Sequence, residues 1–439
     1  MRWGPLLSSA RLRGRPPTSE VEARNEFERD YDRILFSAPF RRLMDKTQVF
    51  PMPENDQVHN RLIHSLEVAS IGRSIARLVG RSPAPSRDAA HSALLGDVVA
   101  AACLMHDIGN PPFGHAGEDA IGSWFSAPGN AHLLTRLSPE QRADLGHFEG
   151  NAQSFRIVAR LTMYSDEGGM RLTRATLGAA AKYPRSVHRC PRQGHVAYKK
   201  FNYFGDDAAL FAEVAEGLEL EPRGEGAWTR HPLTYLVEAA DDICYHVMDF
   251  EDGYTLRLVD AASIRTALAQ IIGRPDYAQV DAGGGGRAIS ALRAMAISTL
   301  VRQVAEAFCE HEESILAGEL ERPLTDLIPA AGALESIIRQ SVELCYRAPE
   351  VLRVELAGYE VLGGLLDLLV PAVLAEPEAR SKRDTKLLIL LHLEPRVEHC
   401  AYRRVLAVTD FLSAMTDRSA VRLFRELRGM AFVGARGTD

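Results

Sequence analysis

MHDIGNPPFGHAGE (Met105–Glu118) is the stretch on which the reading of this chain turns. It sets His106 and Asp107 side by side, follows them with Gly109 as a helix stop, and supplies His115 and Glu118 one short turn later. Neutral imidazole and carboxylate are ligands that Mn²⁺, Fe²⁺, Co²⁺ and Zn²⁺ accept. An adjacent His-Asp pair at a helix end can present both groups to one ion, and the second imidazole and carboxylate lie close enough for acid/base work. The segment has the makings of a metal-assisted hydrolytic centre, but it supplies only half of the expected ligands.

Two other stretches qualify for the missing half. HNRLIHSLEVASIGRSIARLVG (His59–Gly80) carries apolar residues at helical spacing, with His64 near the start of the helix. HPLTYLVEAADDICYHVMDFEDG (His231–Gly253) opens on Pro232, suited to a first helical turn, and closes on Gly253, suited to an end. Along it Glu238, Asp241, Tyr245 and Asp249 follow three- and four-residue steps and share one face. Three carboxylates among apolar neighbours are costly to bury unless a metal ion, an arginine or a lysine sits opposite them. Asp242 competes with Asp241, but one step along a helix turns a side chain by about 100°, so only one of the two can face an ion.

His64, the His106–Asp107 pair and Asp241 resemble the H…HD…D signature of HD-domain phosphohydrolases. Longer strings narrow the resemblance: KTQVFP (Lys46–Pro51), RLIHSLEV (Arg61–Val68), HDIGNPPFGHAGE (His106–Glu118), HFEGNAQS (His147–Ser154), KYP (Lys182–Pro184), YKKFNYF (Tyr198–Phe204), EAADDICY (Glu238–Tyr245) and MTDR (Met415–Arg418) occur in this order. Together they resemble bacterial deoxyguanosinetriphosphate triphosphohydrolases, the dGTPase branch of the HD superfamily, from about Glu22 to Arg428.

The resemblance implies a mostly α fold, an HD-domain helical core with additional C-terminal helices and a small β element. It implies that His64, His106, Asp107 and Asp241 bind one divalent metal ion. Two imidazoles and two carboxylates suit Mn²⁺ or Mg²⁺ first, with Co²⁺ or Fe²⁺ as further candidates, better than a closed structural zinc. His115 is implied as the acid/base group, with Glu118 orienting it, in an attack of water on the α-phosphorus of dGTP that releases deoxyguanosine and inorganic triphosphate. Gln48 and Val49 match the family position that lies against the deoxyribose. Tyr245 matches a ring near the sugar, and Asp249 an acceptor for its 3′-hydroxyl. Arg61, one helical turn before His64, and Lys182, Lys199 and Lys200 offer cations for a triphosphate, since no Walker-type glycine loop is present.

Two departures from the family pattern stand out. Asn110 occupies a position where other HD dNTPases carry histidine, which points to the dGTP-preferring bacterial branch. Ser419 follows MTDR where an aromatic is usual. Relatives recur as homo-oligomers, hexamers among them, and some bind single-stranded DNA. Two alternatives share the HD residues. One is a broader dNTP triphosphohydrolase activated by a nucleotide; the other is another HD-type nucleotidase or phosphodiesterase, against which GNPPFGH, GNAQ and KYP argue.

Composition fits this frame. At 439 residues the chain exceeds a usual single core, and 46% hydrophobic content is ample for one large or two fused domains. Aromatic content of 7%, with plentiful Ala and Leu, favours helices. The clearest strand candidate is Val196–Phe204. A net charge of −7 gives no global argument for nucleic-acid binding. Six cysteines without a C-x-x-C pair make disulfides or a structural zinc site unexpected. The longest apolar run, Val361–Leu374, is interrupted by Asp367 and Pro371, and Met1–Pro17 lacks an apolar signal core. No membrane association is expected, and the protein is expected in the cytoplasm.

The expected organisation is a flexible leader over 1–20, a catalytic core over 21–280 with a lid-like insertion at about 164–230, and a C-terminal helical region over 287–428 packed on the core. Glu22–Leu43 reads as helix broken near Pro39, and core helices are expected at about 59–80, 90–108, 115–127, 147–163 and 232–250. The four-glycine run Gly283–Gly286 marks a boundary. The C-terminal region carries no ligand-like cluster of its own.

Overall fold

Short polar side chains start the helices of this chain. A computed structural model describes residues 1–14, 24–50, 58–164, 169–188, 193–279, 285–396 and 399–430. Asn25, in a reciprocal capping box with Glu28, opens α1 (Glu26–Leu35). Asn60 caps α2 (Arg61–Arg81) and Asp88 caps α3 (Ala89–Met105), each accepting a backbone N–H that the first turn leaves unpaired. Then follow α4 (Gly114–Ser126), α5 (Gly150–Arg156, prolonged by a π-helical turn Ile157–Leu161) and α6 (Thr234–Thr255). The C-terminal part holds α7 (Gly285–Leu316), α8 (Pro349–Leu374), α9 (Ala401–Ser413) and α10 (Asp417–Leu427). Ser419, the departure noted after MTDR, completes the α10 capping box with Thr416.

The α2–α3 pair is the most extensive helix contact, and α6 and α7 pack on α2. These helices build one hydrophobic cluster around Val68, Ile75, Val99, Leu104, Leu236 and Ile243. A second cluster joins Phe113, Ile121 and Trp124 near α4 to Leu362, Leu366 and Leu369 of α8 and Val405 of α9. Ile108 belongs to the first cluster and Phe113 to the second. The Met105–Glu118 segment therefore crosses the seam between two cores, which fixes it from both sides.

The mostly α fold is as expected, but the small β element is not found. Among the described residues there are only isolated bridges. Val196–Tyr198 is a 3₁₀ turn, and its backbone bonds go to scattered partners, Val196 N–H to Glu321 O and Asn202 N–H to Arg185 O. The aromatic pattern there reflects burial: Tyr198, Phe201, Tyr203 and Phe204 all lie in the interior.

Other boundaries differ in instructive ways. Met1–Gly14 does not trail as a flexible leader; Trp3 is 2% exposed, its Nε1 donates to Glu312 at 2.9 Å, and Leu6, Leu7 and Leu12 are buried. The rest of that stretch, 15–20, lies outside the described residues. The break expected near Pro39 is present, at Phe36–Ser37 between α1 and a short helix Ala38–Arg42 capped by Ser37, and Pro39 itself lies in the first turn of that helix. Gly253 does not end α6, which runs on to Thr255; a Cβ there would stand 2.6 Å from Cys345 Sγ. The helix α8 is long and apolar enough to cross a membrane by length and composition, contrary to the sequence expectation, and 56% of its apolar window is buried in the second cluster. Residues 283 and 284 of the glycine run lie outside the described residues, and α7 begins at Gly285.

Candidate active site

The helix α3 ends at Met105, and His106 follows as its cap. Gly109 serves close approach rather than helix termination, because a Cβ there would lie 2.1 Å from Ser154 N and 2.4 Å from Gly150 O of α5. Ser154 locks this approach: its Oγ accepts from Gly109 N–H at 2.9 Å and donates to His106 O at 3.1 Å. The HFEGNAQS string is thus a brace under the His-Asp turn.

His64 from α2, His106 from the end of α3 and Asp241 from α6 bring their ligand atoms within 4.8 Å of one another. His64 Nε2 stands 3.1 Å from Asp241 Oδ1, and His106 Nε2 3.4 Å from the same oxygen. His106 Nδ1 donates to Cys103 O at 2.6 Å, which fixes the tautomer and leaves the Nε2 lone pair free. That Nε2 is buried without a hydrogen-bond partner. A buried, correctly oriented, unsatisfied imidazole nitrogen beside a carboxylate fits a divalent ion. Asp107, the fourth expected ligand, stands just outside this trio. Its Oδ1 is 3.5 Å from His106 Nε2 and accepts from Asn110 Nδ2 at 2.7 Å, while Arg61 holds its Oδ2 at 2.6 Å. Burial would raise the Asp107 carboxyl, but Arg61 and the two histidines hold it below the ordinary carboxylate range.

Two of the three carboxylates on the shared face of α6 have the cationic partner the sequence called for; the third, Asp249, is held by the Tyr346 hydroxyl. Glu238 forms a buried two-pronged pair with Arg230 at 2.6 and 3.1 Å. Asp241 pairs with Lys182 of the KYP string. Burial would raise Asp241, and Lys182 and His106 overcome it, so the group stays ionised. Asp242 points elsewhere, accepting from Thr325 at 2.9 Å; burial and the charges of Glu238 and Asp241 push it up to about 7. Replacing Arg230 with Met is expected to lower unfolding stability by about 3 kcal/mol, since it strands the Glu238 carboxylate. Urea unfolding checks this, and an unchanged midpoint would refute it.

His115 and Glu118 share one face of α4. His115 Nδ1 is 2.7 Å from Glu118 Oε2, and Glu118 Oε1 accepts from Gly150 N–H at 2.7 Å. Glu118 is buried, whereas 70% of the His115 side chain is open. The hydrogen bond and charge of Glu118 raise the His115 pKa. Burial acts to raise Glu118, but His115 and Lys200 hold it below its ordinary value.

These groups line one cavity of 670 Å³, together with Gln48, Arg61, Lys182, Lys199, Lys200 and Tyr245. Arg61, expected as a phosphate ligand, is engaged first by Asp107. Gln48 Oε1 is buried and unbonded. A side cavity of 180 Å³ shares Gln48, His115 and Tyr245 with the main one and adds Val49, Tyr346 and Glu355. Asp249 lines neither; it sits behind Tyr346, whose Oη donates to it at 3.3 Å. Tyr346, Glu355, Asn151 and Arg322 were missed in the sequence. Only Asn151, inside HFEGNAQS, lies in a motif; the other three come from the C-terminal region, in which the sequence shows no ligand-like cluster.

The HD domain family model matches residues 61–147. A deoxyguanosinetriphosphate triphosphohydrolase-like protein of Synechocystis sp. is 41% identical over 446 residues, covering 98% of this chain and 100% of that protein. One of the same description from Pseudomonas aeruginosa is 38% identical over 98% of this chain and 99% of its own. A deoxyguanosinetriphosphate triphosphohydrolase of Yersinia enterocolitica is 31% identical over 96% of this chain and 97% of its own. With the His64–His106–Asp241 cluster lining the 670 Å³ cavity, the chain belongs to the deoxyguanosinetriphosphate triphosphohydrolase family of HD-domain proteins.

Proposed function

We propose that this protein hydrolyses dGTP to deoxyguanosine and inorganic triphosphate with one divalent ion held by His64, His106, Asp107 and Asp241. The observation that carries the reading is the unsatisfied His106 Nε2 facing Asp241 in a cavity also lined by Arg61, Lys182, Lys199 and Lys200. Mn²⁺ or Mg²⁺ is the ion favoured by the mixed N/O donors. When bound, the ion would draw charge from a phosphoryl oxygen at the reacting centre. The lysines and arginine offset the triphosphate charge and orient it. His115, with Nδ1 tied to Glu118, presents Nε2 to the cavity and gives a proton to the leaving 5′-oxygen as the bond to the α-phosphorus breaks.

The sugar and base occupy the side cavity. Gln48 and Val49 pack against the deoxyribose, Tyr245 lies beside it, and Asp249 acts on the 3′-hydroxyl with Tyr346 between them. Glu355 is the group suited to guanine, whose N1–H and N2–H₂ are donors, whereas adenine turns a ring acceptor toward the same carboxylate. Glu355→Gln is expected to lower kcat/KM for dGTP by about 10- to 100-fold, the worth of a charge-assisted hydrogen bond, and to leave dATP unaffected or improved. An unchanged dGTP/dATP ratio would remove Glu355 from base selection.

The deciding experiment is a product assay with each dNTP and GTP, with and without Mn²⁺. Triphosphate and deoxyguanosine from dGTP alone support the reading. Equal release from all four dNTPs, or release only after a second nucleotide is added, moves the protein to the broader, regulated class. A cytoplasmic homo-oligomer, of hexameric size, is the assembly we expect, and single-stranded DNA is a further ligand to test.

A further inference from the structure

Asp417, in the MTDR string, is buried at the first turn of α10, far in sequence from His64, His106, His115 and Asp241. Its two carboxylate oxygens are spent on two different segments. Oδ2 accepts from Thr47 N–H at 3.0 Å and from the Thr47 hydroxyl. Oδ1 accepts from Phe113 N–H at 3.0 Å. Thr47 immediately precedes Gln48 and Val49 at the side cavity. Phe113 is the cap of α4, one residue before the turn that delivers His115 and Glu118.

Phe113 needs such a hold. Its φ of +66° is left-handed, which a bulky residue adopts only when its surroundings impose it. Gly358 of α8 makes room for the ring, since a Cβ there would stand 2.9 Å from Phe113 Cγ. Lys46 ties the same segments from the other side. It is buried, and its Nζ donates to Asn110 O and Ser413 O, both at 2.7 Å. The turn between α9 and α10 therefore grips the chain before Gln48 and the chain before His115 at once.

We propose that Asp417 is a positioning residue of the active site, coupling the C-terminal helices to the placement of Gln48, Val49 and His115. The activity arm of its test rests on the triphosphohydrolase reading, and the exchange arm does not. In hydrogen-exchange mass spectrometry of the full chain, Asp417→Asn, which keeps one acceptor, should speed exchange about tenfold in one of the two peptides holding Thr47 and Phe113. Asp417→Ala should do so in both, and α2 and α6 should be unaffected. Thr47→Val, which removes only the hydroxyl contact, should affect the Thr47 peptide alone and keeps the test open if the alanine variant does not fold. With dGTP, Asp417→Asn should lower kcat/KM about tenfold while Mn²⁺ affinity is unchanged, because His64, His106 and Asp241 lie on other elements. Exchange changes confined to α10, or a lowered Tm with unaltered kcat and KM, would overturn the proposal. A parent enzyme inert toward every nucleotide would refute the dGTP reading, and exchange alone would then decide the role of Asp417.

Discussion

Asp241→Asn is expected to abolish metal-dependent turnover, lowering kcat by roughly 10³-fold or more, which corresponds to the several kcal/mol an ion contributes at a phosphoryl centre. The expectation follows from the position of one oxygen. Asp241 Oδ1 is the point toward which both His64 Nε2 and His106 Nε2 converge, at 3.1 and 3.4 Å. Without its charge two imidazoles remain beside a lysine. Lys182 would lose its carboxylate partner, and burial, the largest influence on it, would push its ammonium down toward the neutral form. Mn²⁺ binding followed by electron paramagnetic resonance should be lost together with activity. Asp242→Asn is the matched control: that carboxylate turns to Thr325, so Mn²⁺ affinity should hold. Full Mn²⁺ binding by the Asp241 variant, or its loss in the Asp242 variant, would reassign the ligand.

The site was legible where its residues are close in sequence or repeat at helical steps. His106, Asp107, His115 and Glu118 lie within one segment, and the shared face of Glu238, Asp241 and Tyr245 follows from the 3.6-residue turn. The demand for a positive partner opposite that face was also legible, though not that Arg230 and Lys182 would answer it. What was hidden depends on contacts between residues a hundred positions or more apart. Tyr346 beside Tyr245, Glu355 in the side cavity and Asp417 on Phe113 have no local pattern that marks them. Composition misled in the first fourteen residues, where Arg and Pro surround the few apolar residues, Trp3, Leu6, Leu7 and Leu12, that anchor the segment. Aromatic spacing misled at Val196–Phe204, because Phe201, Asn202, Tyr203 and Phe204 are all buried in succession rather than on one alternating face, and the segment pairs with no strand among the described residues.

His115→Ala should cost about 10²- to 10⁴-fold in kcat, the usual worth of a placed acid/base group, with Mn²⁺ affinity retained. The sharper test concerns pH. A general acid must carry its proton, so the rate falls as pH rises through its pKa. Glu118 raises the His115 pKa through the 2.7 Å hydrogen bond and its charge, which places that falling limb above the ordinary histidine value of about 6.5. Removing the charge with Glu118→Gln lets the imidazolium lose its proton earlier. The limb of kcat should then shift to lower pH, while the rate on the acid side changes far less. Buried Glu118 also accepts from Gly150 N–H, so a purely structural role would lower the rate at every pH without moving the limb. A rate that climbs with pH in the parent enzyme would instead make His115 the base toward water, and Glu118→Gln would then move a rising limb in the same downward direction. The slope of the parent profile distinguishes the two roles, and the shift in the variant establishes whether the pair acts as one unit.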